Sequence, residues 1–227
     1  MSDSMEDFPF IRFEKQPAVE LGFQPVVMDF EHPPKDPVVE ILRWLNEAFQ
    51  LPIPNPNAMS IATVNADGTP SLRVVLLRGF DEHGAVFFTN RLSRKGLALS
   101  HSPQAALLFH WDHLDRQIRI EGKVTATSDA HSDAYFFGRP RMNRIGAWAS
   151  DQSQPLADRA TFEKRIREVE NRFEGKEVPR PPHWGGYRVA LESIEFWQGD
   201  TNRLHERIVY RKSSAGWNVG RLFPRTC

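Results

Sequence analysis

The chain has 227 residues, enough for one medium-sized domain with decorations or at most two small ones. Apolar residues make up 40% and charged residues 26%, the ordinary range for a soluble globular protein. Lys plus Arg equals Asp plus Glu at 29 each, which excludes a global field for holding nucleic acid or a membrane surface.

Any anion site must therefore be built locally. The single cysteine, Cys227, excludes an internal disulfide framework and suits a reducing cytosol. No run approaches the roughly 18 apolar residues of a membrane span. The acidic opening MSDSMEDFPF lacks the basic-then-apolar layout of a secretion signal. The expectation is a cytoplasmic protein.

Residues 1–35 are rich in Pro and charge without a clean period and read as an irregular arm, ordered only by docking. Asp36-Pro37 then opens a helix, an N-cap acceptor followed by Pro at the first helical position. Val38, Ile41, Leu42, Leu45 and Phe49 follow at helical spacing, and LPIPNPN (51–57) ends it. From Ala58 the period shortens. AMSIATV, SLRVVLL and AVFFT are β-rich runs separated by the turn sequences NADGTP and FDEHG. SRKGLALSHS predicts a short helix, and QAALLFHW and RQIRIEGKVTAT resume strands. A helical patch covers 129–138. Another helix runs from the Asp158 cap, with Phe162, Ile166, Val169 and Phe173 on one stripe. GYRVALESIEFWQ, RLHERIVYR and GWNVGRLF predict three further strands. Short strands with inserted helices point to an α+β, mainly β fold, an antiparallel Greek-key barrel, rather than a doubly wound parallel sheet. Neither a G-x-G-x-x-G nor a Walker P-loop is present.

Four segments bear on chemistry. In RLHER, alternation on an extended strand puts Arg203, His205 and Arg207 on one face, with Leu204 and Ile208 on the other. Either an anion and ring site or a solvated strand fits that pattern. Arg73 lies inside the apolar run SLRVVLLR and needs an anionic partner, a ligand or a structural carboxylate. Arg73 and Arg78 have opposite parity, so a bulge intervenes or a ligand wraps the strand end. Ser93-Arg94-Lys95 stands where a strand gives way to a helix, a ready phosphate cradle. YFFGRPRMNR gathers Tyr135, Arg139, Arg141 and Arg144. The set His110, Asp112, His113 and Asp115 matches no metal motif and reads as a surface turn, so no metal is expected.

Taken together, these segments resemble the pyridoxamine 5′-phosphate oxidase family from about Asp36 to Pro224. The resemblance rests on RVVLLR (73–78), FFTN (87–90), SRK (93–95), RQIRIEGK (116–123) and YFFGRPR (135–141). It continues in IGAWASDQS (145–153), HWGGYRV (183–189), IEFWQG (194–199), RLHER (203–207) and RLFP (221–224). The resemblance implies an FMN-binding split β-barrel over residues 36–227, including a C-terminal dimerisation region. It also implies a homodimer with flavin sites at the subunit interface. Arg73, Arg94 and Lys95 would grip the FMN phosphate. The backbone of Val74, Val75, Leu76, Leu77 and Arg78, with Phe88 and Thr89, would line the flavin. Gln117, Gln152, Ser153, Trp197 and Arg207 would complete that site, some from the partner. Arg78, Tyr135, Arg139 and Asn143 would hold the phosphate of a pyridine substrate, and Arg203 and His205 would lie over its ring as catalytic residues. The implied reaction oxidises pyridoxamine or pyridoxine 5′-phosphate to pyridoxal 5′-phosphate, with O2 as acceptor and H2O2 released.

The sequence departs from the family pattern in four places. The family usually has Lys where Arg78 stands, Ser at Asn143 and Asp at Glu206, and its arm carries an Arg-x-x-Tyr-like element absent here. Flavin oxidases of phenazine biosynthesis share RLHER and a Pro-Phe-containing N-terminus but generally lack the RPR and IGAW segments. An oxidase of another ring substrate, a non-enzymatic flavin-binding or haem-binding split-barrel protein, and a nucleic-acid module are the alternative readings.

Overall fold

The computed structural model describes residues 25–200 and 203–224. Most of the expected arm, and Cys227, lie outside the described residues. Residues 25–35 are irregular but anchored. Met28 and Phe30 join the main core, the Val26 carbonyl accepts from Arg43 and Arg116, and the Pro34 carbonyl accepts from the Tyr210 hydroxyl.

Helix α1 (Pro37–Gln50) starts where the cap predicts, the Asp36 carboxylate accepting from the Val38 amide at 3.0 Å. Its Ile41, Trp44, Leu45 and Ala48 are buried against the sheet. Among the described residues ten strands follow, with antiparallel pairing throughout: β1 (Ala58–Val64), β2 (Pro70–Leu76), β3 (Gly79–Asp81), β4 (Gly84–Asn90), β5 (Gln104–Trp111), β6 (Arg116–Ala126), β7 (Trp184–Val189), β8 (Ser193–Gln198), β9 (Glu206–Ser213) and β10 (Gly216–Arg221). The order β10-β9-β8-β6-β5-β1-β2 makes one path, and β3-β4-β7 branches from the far end of β6. The sheet curls at that branch. The stretch expected as one strand, GYRVALESIEFWQ, breaks between β7 and β8 because β6 pairs first with β8 and then with β7. Gly122 sits at this corner against the Ala190 carbonyl, where a Cβ has no room.

Among the described residues four further helices decorate the sheet: α2 (Arg94–His101), α3 (Asp129–Phe137), α4 (Arg141–Ala149) and α5 (Arg159–Arg172). Of these, α4 is not signalled by the sequence. Its N-cap is Pro140, with no side-chain hydrogen bond, and Gly146 lies inside it. Tertiary contacts hold it instead. Ile145 packs with Phe173 and Val178 in a small second core, to which Trp148, Ile166 and Val169 are added. Arg141 donates to the carbonyls of Lys176 and Phe173, and Trp148 Nε1 to that of Pro179. The HWDHLD segment is the end of β5 followed by a 3₁₀ turn (Asp112–Leu114), with Asp115 left-handed at φ 48°.

Candidate active site

A cleft of about 1420 Å³ opens between the edge strand β2 and the α3–α4 side of the molecule. Chain direction answers the parity question posed by Arg73 and Arg78. Strand β2 ends at Leu76, after which the Leu77 amide bonds the Asn57 carbonyl and the Arg78 amide bonds the Val86 carbonyl. The cleft therefore wraps the strand end, and both arginines line it.

One corner gathers Arg73, Arg94 and Lys95. Arg73 donates to the Thr63 hydroxyl at 2.8 Å, the Ser71 carbonyl at 3.0 Å, the Ile61 carbonyl at 3.2 Å and the Ser71 hydroxyl. Lys95 donates to Thr89 Oγ1 at 3.1 Å and Ser93 Oγ at 3.3 Å. All of these acceptors are neutral. Among the described residues, none of the three cations is ion-paired to a carboxylate. Burial, then repulsion from Arg94, lowers the Arg73 pKa. Burial, then repulsion from Arg73, brings the Lys95 ammonium down to about 8. Ser93 caps α2 through the Gly96 amide, so the positive end of the helix backs the same corner. The exposed Asp67 carboxylate is in electrostatic reach of Arg94, and clustered cations without a salt bridge at a helix N-terminus suit a phosphate. The residues present thus fit the phosphate end of a phosphorylated cofactor.

The adjoining wall is aromatic. Phe88 stacks on Tyr135 at 4.1 Å and on Trp184 at 5.4 Å, each within 8° of parallel. Gly186 leaves room for the Phe88 ring, which a Cβ there would meet at 2.8 Å. Arg78 lies 5.8 Å over Tyr135, and Arg139 lies 4.7 Å over Trp184 with its Nη1 buried and unbonded among the described residues. Burial is the main cause that lowers the Arg139 pKa and raises that of Tyr135. Two guanidiniums around stacked rings make a second place for an anion. Asn143 reaches the cleft from α4, and Gln152 and Ser153 from the loop after it. Gln152 Oε1 accepts from Thr89 Oγ1 at 3.2 Å, and Ser153 adopts a left-handed φ of 74°. Val74, Val75, Leu76 and Leu77 supply the β2 rim.

The remaining residues singled out in the sequence, Gln117, Trp197, Arg203, His205 and Arg207, do not line this cleft. Three form a row across β6, β8 and β9, Gln117 opposite Trp197 and Trp197 opposite Arg207. The one-face reading of RLHER is corrected by the structure. Strand β9 begins only at Glu206, and Arg203 is left-handed at φ 61°, which no extended strand accommodates. His205 nevertheless reaches the row, its ring 4.6 Å from that of Trp197. Arg207 is paired with the Glu195 carboxylate (2.6 and 2.8 Å) and also donates to the Phe223 carbonyl at 3.1 Å. Glu206 bonds Arg221 at 2.7 Å.

Sequence reasoning missed Asn57, which donates to the Leu77 carbonyl at 3.1 Å and holds the strand end. It also missed Trp184 as the far plate of the aromatic stack, although HWGGYRV was one of the resembling segments. Glu195 alternates with Trp197 along β8, and that spacing was the available signal for it.

Residues 45–173 match the family described as pyridoxamine 5′-phosphate oxidase. Residues 184–224 match the pyridoxine 5′-phosphate oxidase C-terminal dimerisation region. The chain belongs to the pyridoxamine 5′-phosphate oxidase family. Within it, the chain is 52% identical over 189 residues to a pyridoxine/pyridoxamine 5′-phosphate oxidase of Acaryochloris marina, spanning 83% of this chain and 86% of the relative. It is 54% identical over 192 residues to the protein of that name from Burkholderia cenocepacia, 83% of this chain and 89% of the other. Among solved structures, PhzG from Burkholderia lata 383 in complex with tetrahydrophenazine-1-carboxylic acid has a TM-score of 0.81 at 31% identity. That match covers 92% of this chain and 100% of the other. A pyridoxamine 5′-phosphate oxidase-related, FMN binding protein from Nostoc punctiforme gives a TM-score of 0.58 at 18% identity, over 74% and 88% of the chains, and supports the fold alone. The curled antiparallel sheet is the split barrel of this family, as the strand pattern and the resemblance predict. No helix among the described residues is long and apolar enough to cross a membrane.

Proposed function

We propose that the protein is an FMN-dependent oxidase of pyridoxamine 5′-phosphate or pyridoxine 5′-phosphate, acting as a cytoplasmic homodimer and forming pyridoxal 5′-phosphate. Pyridoxine 5′-phosphate and O2 give the aldehyde and H2O2; the amine additionally takes up water and releases ammonia. The single observation that carries the reading is the corner of Arg73, Arg94 and Lys95, three clustered cations that form no salt bridge among the described residues, in a chain of this family. The curated relatives carry pyridoxine/pyridoxamine 5′-phosphate oxidase as their name, which supports the substrate class.

When bound, FMN supplies the hydride acceptor and the reaction with oxygen. The protein supplies binding, orientation and charge. In this reading Arg73, Arg94 and Lys95 bind the cofactor phosphate, and the β2 rim, Phe88, Thr89, Gln152 and Ser153 border the ring. Arg78, Tyr135, Arg139 and Asn143 bind the substrate phosphate, the two guanidiniums providing forked donors. The row of Gln117, Trp197 and Arg207, with Arg203 and His205, serves the cleft of a second protomer. The dimerisation region that contains four of these five residues supports that assignment. Arg203 and His205 then hold the substrate ring with its reacting carbon toward the flavin.

Oxygen consumption by the FMN-loaded protein tests the proposal, with pyridoxine 5′-phosphate and tetrahydrophenazine-1-carboxylic acid compared as substrates. Turnover of the pyridoxine ester with stoichiometric peroxide is expected. Preference for the phenazine would replace the substrate, and flavin binding without peroxide from either would remove the enzymatic reading.

A further inference from the structure

Two residues beyond the left-handed Arg203, at φ 61°, stands His205. The backbone N–H of Asp200 donates to His205 Nδ1 at 3.2 Å. An amide N–H can only donate, so Nδ1 must present its lone pair. A neutral imidazole carries one ring proton, which then sits on Nε2. A proton on Nδ1 would set one N–H against another and break the bond to Asp200. The ring is further fixed by Trp197, at 4.6 Å and 41°. Nε2 has no hydrogen-bond partner among the described residues.

We infer that His205 acts as a hydrogen-bond donor through Nε2–H, with the Asp200 backbone N–H as the positioning group that selects this tautomer. The nitrogen turned to a ligand already holds its proton, so His205 is not the base that removes one from substrate. It takes an acceptor on the substrate ring, an oxygen anion or a ring nitrogen lone pair. This use of His205 rests on the oxidase reading proposed above; the tautomer itself does not.

Two measurements on the FMN-loaded protein test the inference. In the first, the protein is labelled with 15N-histidine and long-range proton–nitrogen correlations are recorded, His205 being assigned by the signal lost in His205→Gln. The expected pattern is an unprotonated Nδ1 and a protonated Nε2. The reverse pattern, or two protonated nitrogens, would overturn the assignment. In the second, single-turnover substrate oxidation is compared in His205→Gln and His205→Asn, with FMN retention measured in each. The glutamine amide nitrogen reaches the place of Nε2, whereas the asparagine nitrogen stands at the place of Nδ1. His205→Gln should therefore be about tenfold to a hundredfold faster than His205→Asn, the worth of one hydrogen bond to a charged group. Equal rates, or a faster asparagine variant, would remove the donor role. A wild type without turnover would defeat the oxidase reading, while the spectrum would still decide the tautomer.

Discussion

Arg73 and Arg207 are both half-buried on strands of the same sheet, yet their surroundings are opposites. Arg73 on β2 is surrounded by two hydroxyls and two carbonyls and shares its corner with two more cations. Arg207 on β9 is neutralised by Glu195, which also pairs with Arg119. A third arginine shows the structural extreme: Arg116, 1% exposed, is closed by Glu47, Gln198 and the Val26 carbonyl under α1. A buried cation without a counter-charge costs free energy until an anion arrives, whereas a compensated one is already settled. The β2 corner thus keeps positive charge that a bound anion would compensate, whereas Arg207 in the β9 row is compensated within the chain.

The sharpest break between the two regions is expected at the corner. Replacing both Arg73 and Lys95 with Ala removes two charge-assisted contacts of roughly 1.5–3 kcal/mol each. FMN affinity, read by quenching of flavin fluorescence, should fall by two to four orders of magnitude while the fold persists. Undiminished affinity would place the phosphate elsewhere.

Next in size is Arg203→Ala. Arg203 is exposed and left-handed, outside the corner, and its proposed partner is the substrate ring. Flavin reduction in a single turnover should slow by roughly 2–4 kcal/mol of barrier, the scale of a lost preorganised donor. FMN should stay bound. Wild-type reduction at saturating substrate would end the catalytic role of this segment. Arg207→Ala should do less again, weakening FMN retention by roughly 1–2 kcal/mol, since Glu195 already offsets its charge. A loss as large as that of the corner variant would mean the two regions do not differ as their partners indicate.

These regions were unequally legible in the sequence. The barrel's strands follow from short β-rich runs between turn residues, and α1 and α5 from their caps, because those signals are local. Helix α4 escaped because its stability comes from Ile145 in the second core and from the anchoring of Arg141 and Trp148. RLHER was misread as one face because alternation assumes extended backbone at every residue, and one positive φ at Arg203 defeats it. The cleft residues carried by the resemblance do converge. Gln117, Trp197 and Arg207, which it placed at the flavin site, and Arg203 and His205, which it placed over the substrate ring, lie away from the cleft in a single protomer, a separation that residue spacing along one chain does not express.

The pH dependence of binding is the effect most specific to the corner. Burial and Arg73 hold Lys95 at about 8 instead of the ordinary 10.5. Between those values the unfolded chain binds a proton that the folded, ligand-free protein does not. Its stability should therefore rise with pH across that window, the cost of burying the charge being fully present below about 8. Phosphate binding runs the other way, because it needs the ammonium. A phosphate monoester becomes a dianion above roughly pH 6, so FMN affinity should be highest between there and about 8, then fall. One proton limits that fall to about tenfold per pH unit. Titrating FMN binding from roughly pH 6 to 10 in the wild type and in Lys95→Met isolates the residue. The methionine variant should bind more weakly below about pH 8, lose the decline above it and converge with the wild type as the wild-type ammonium deprotonates. An identical decline in both would assign the titration to another group and leave Lys95 as a packing residue only.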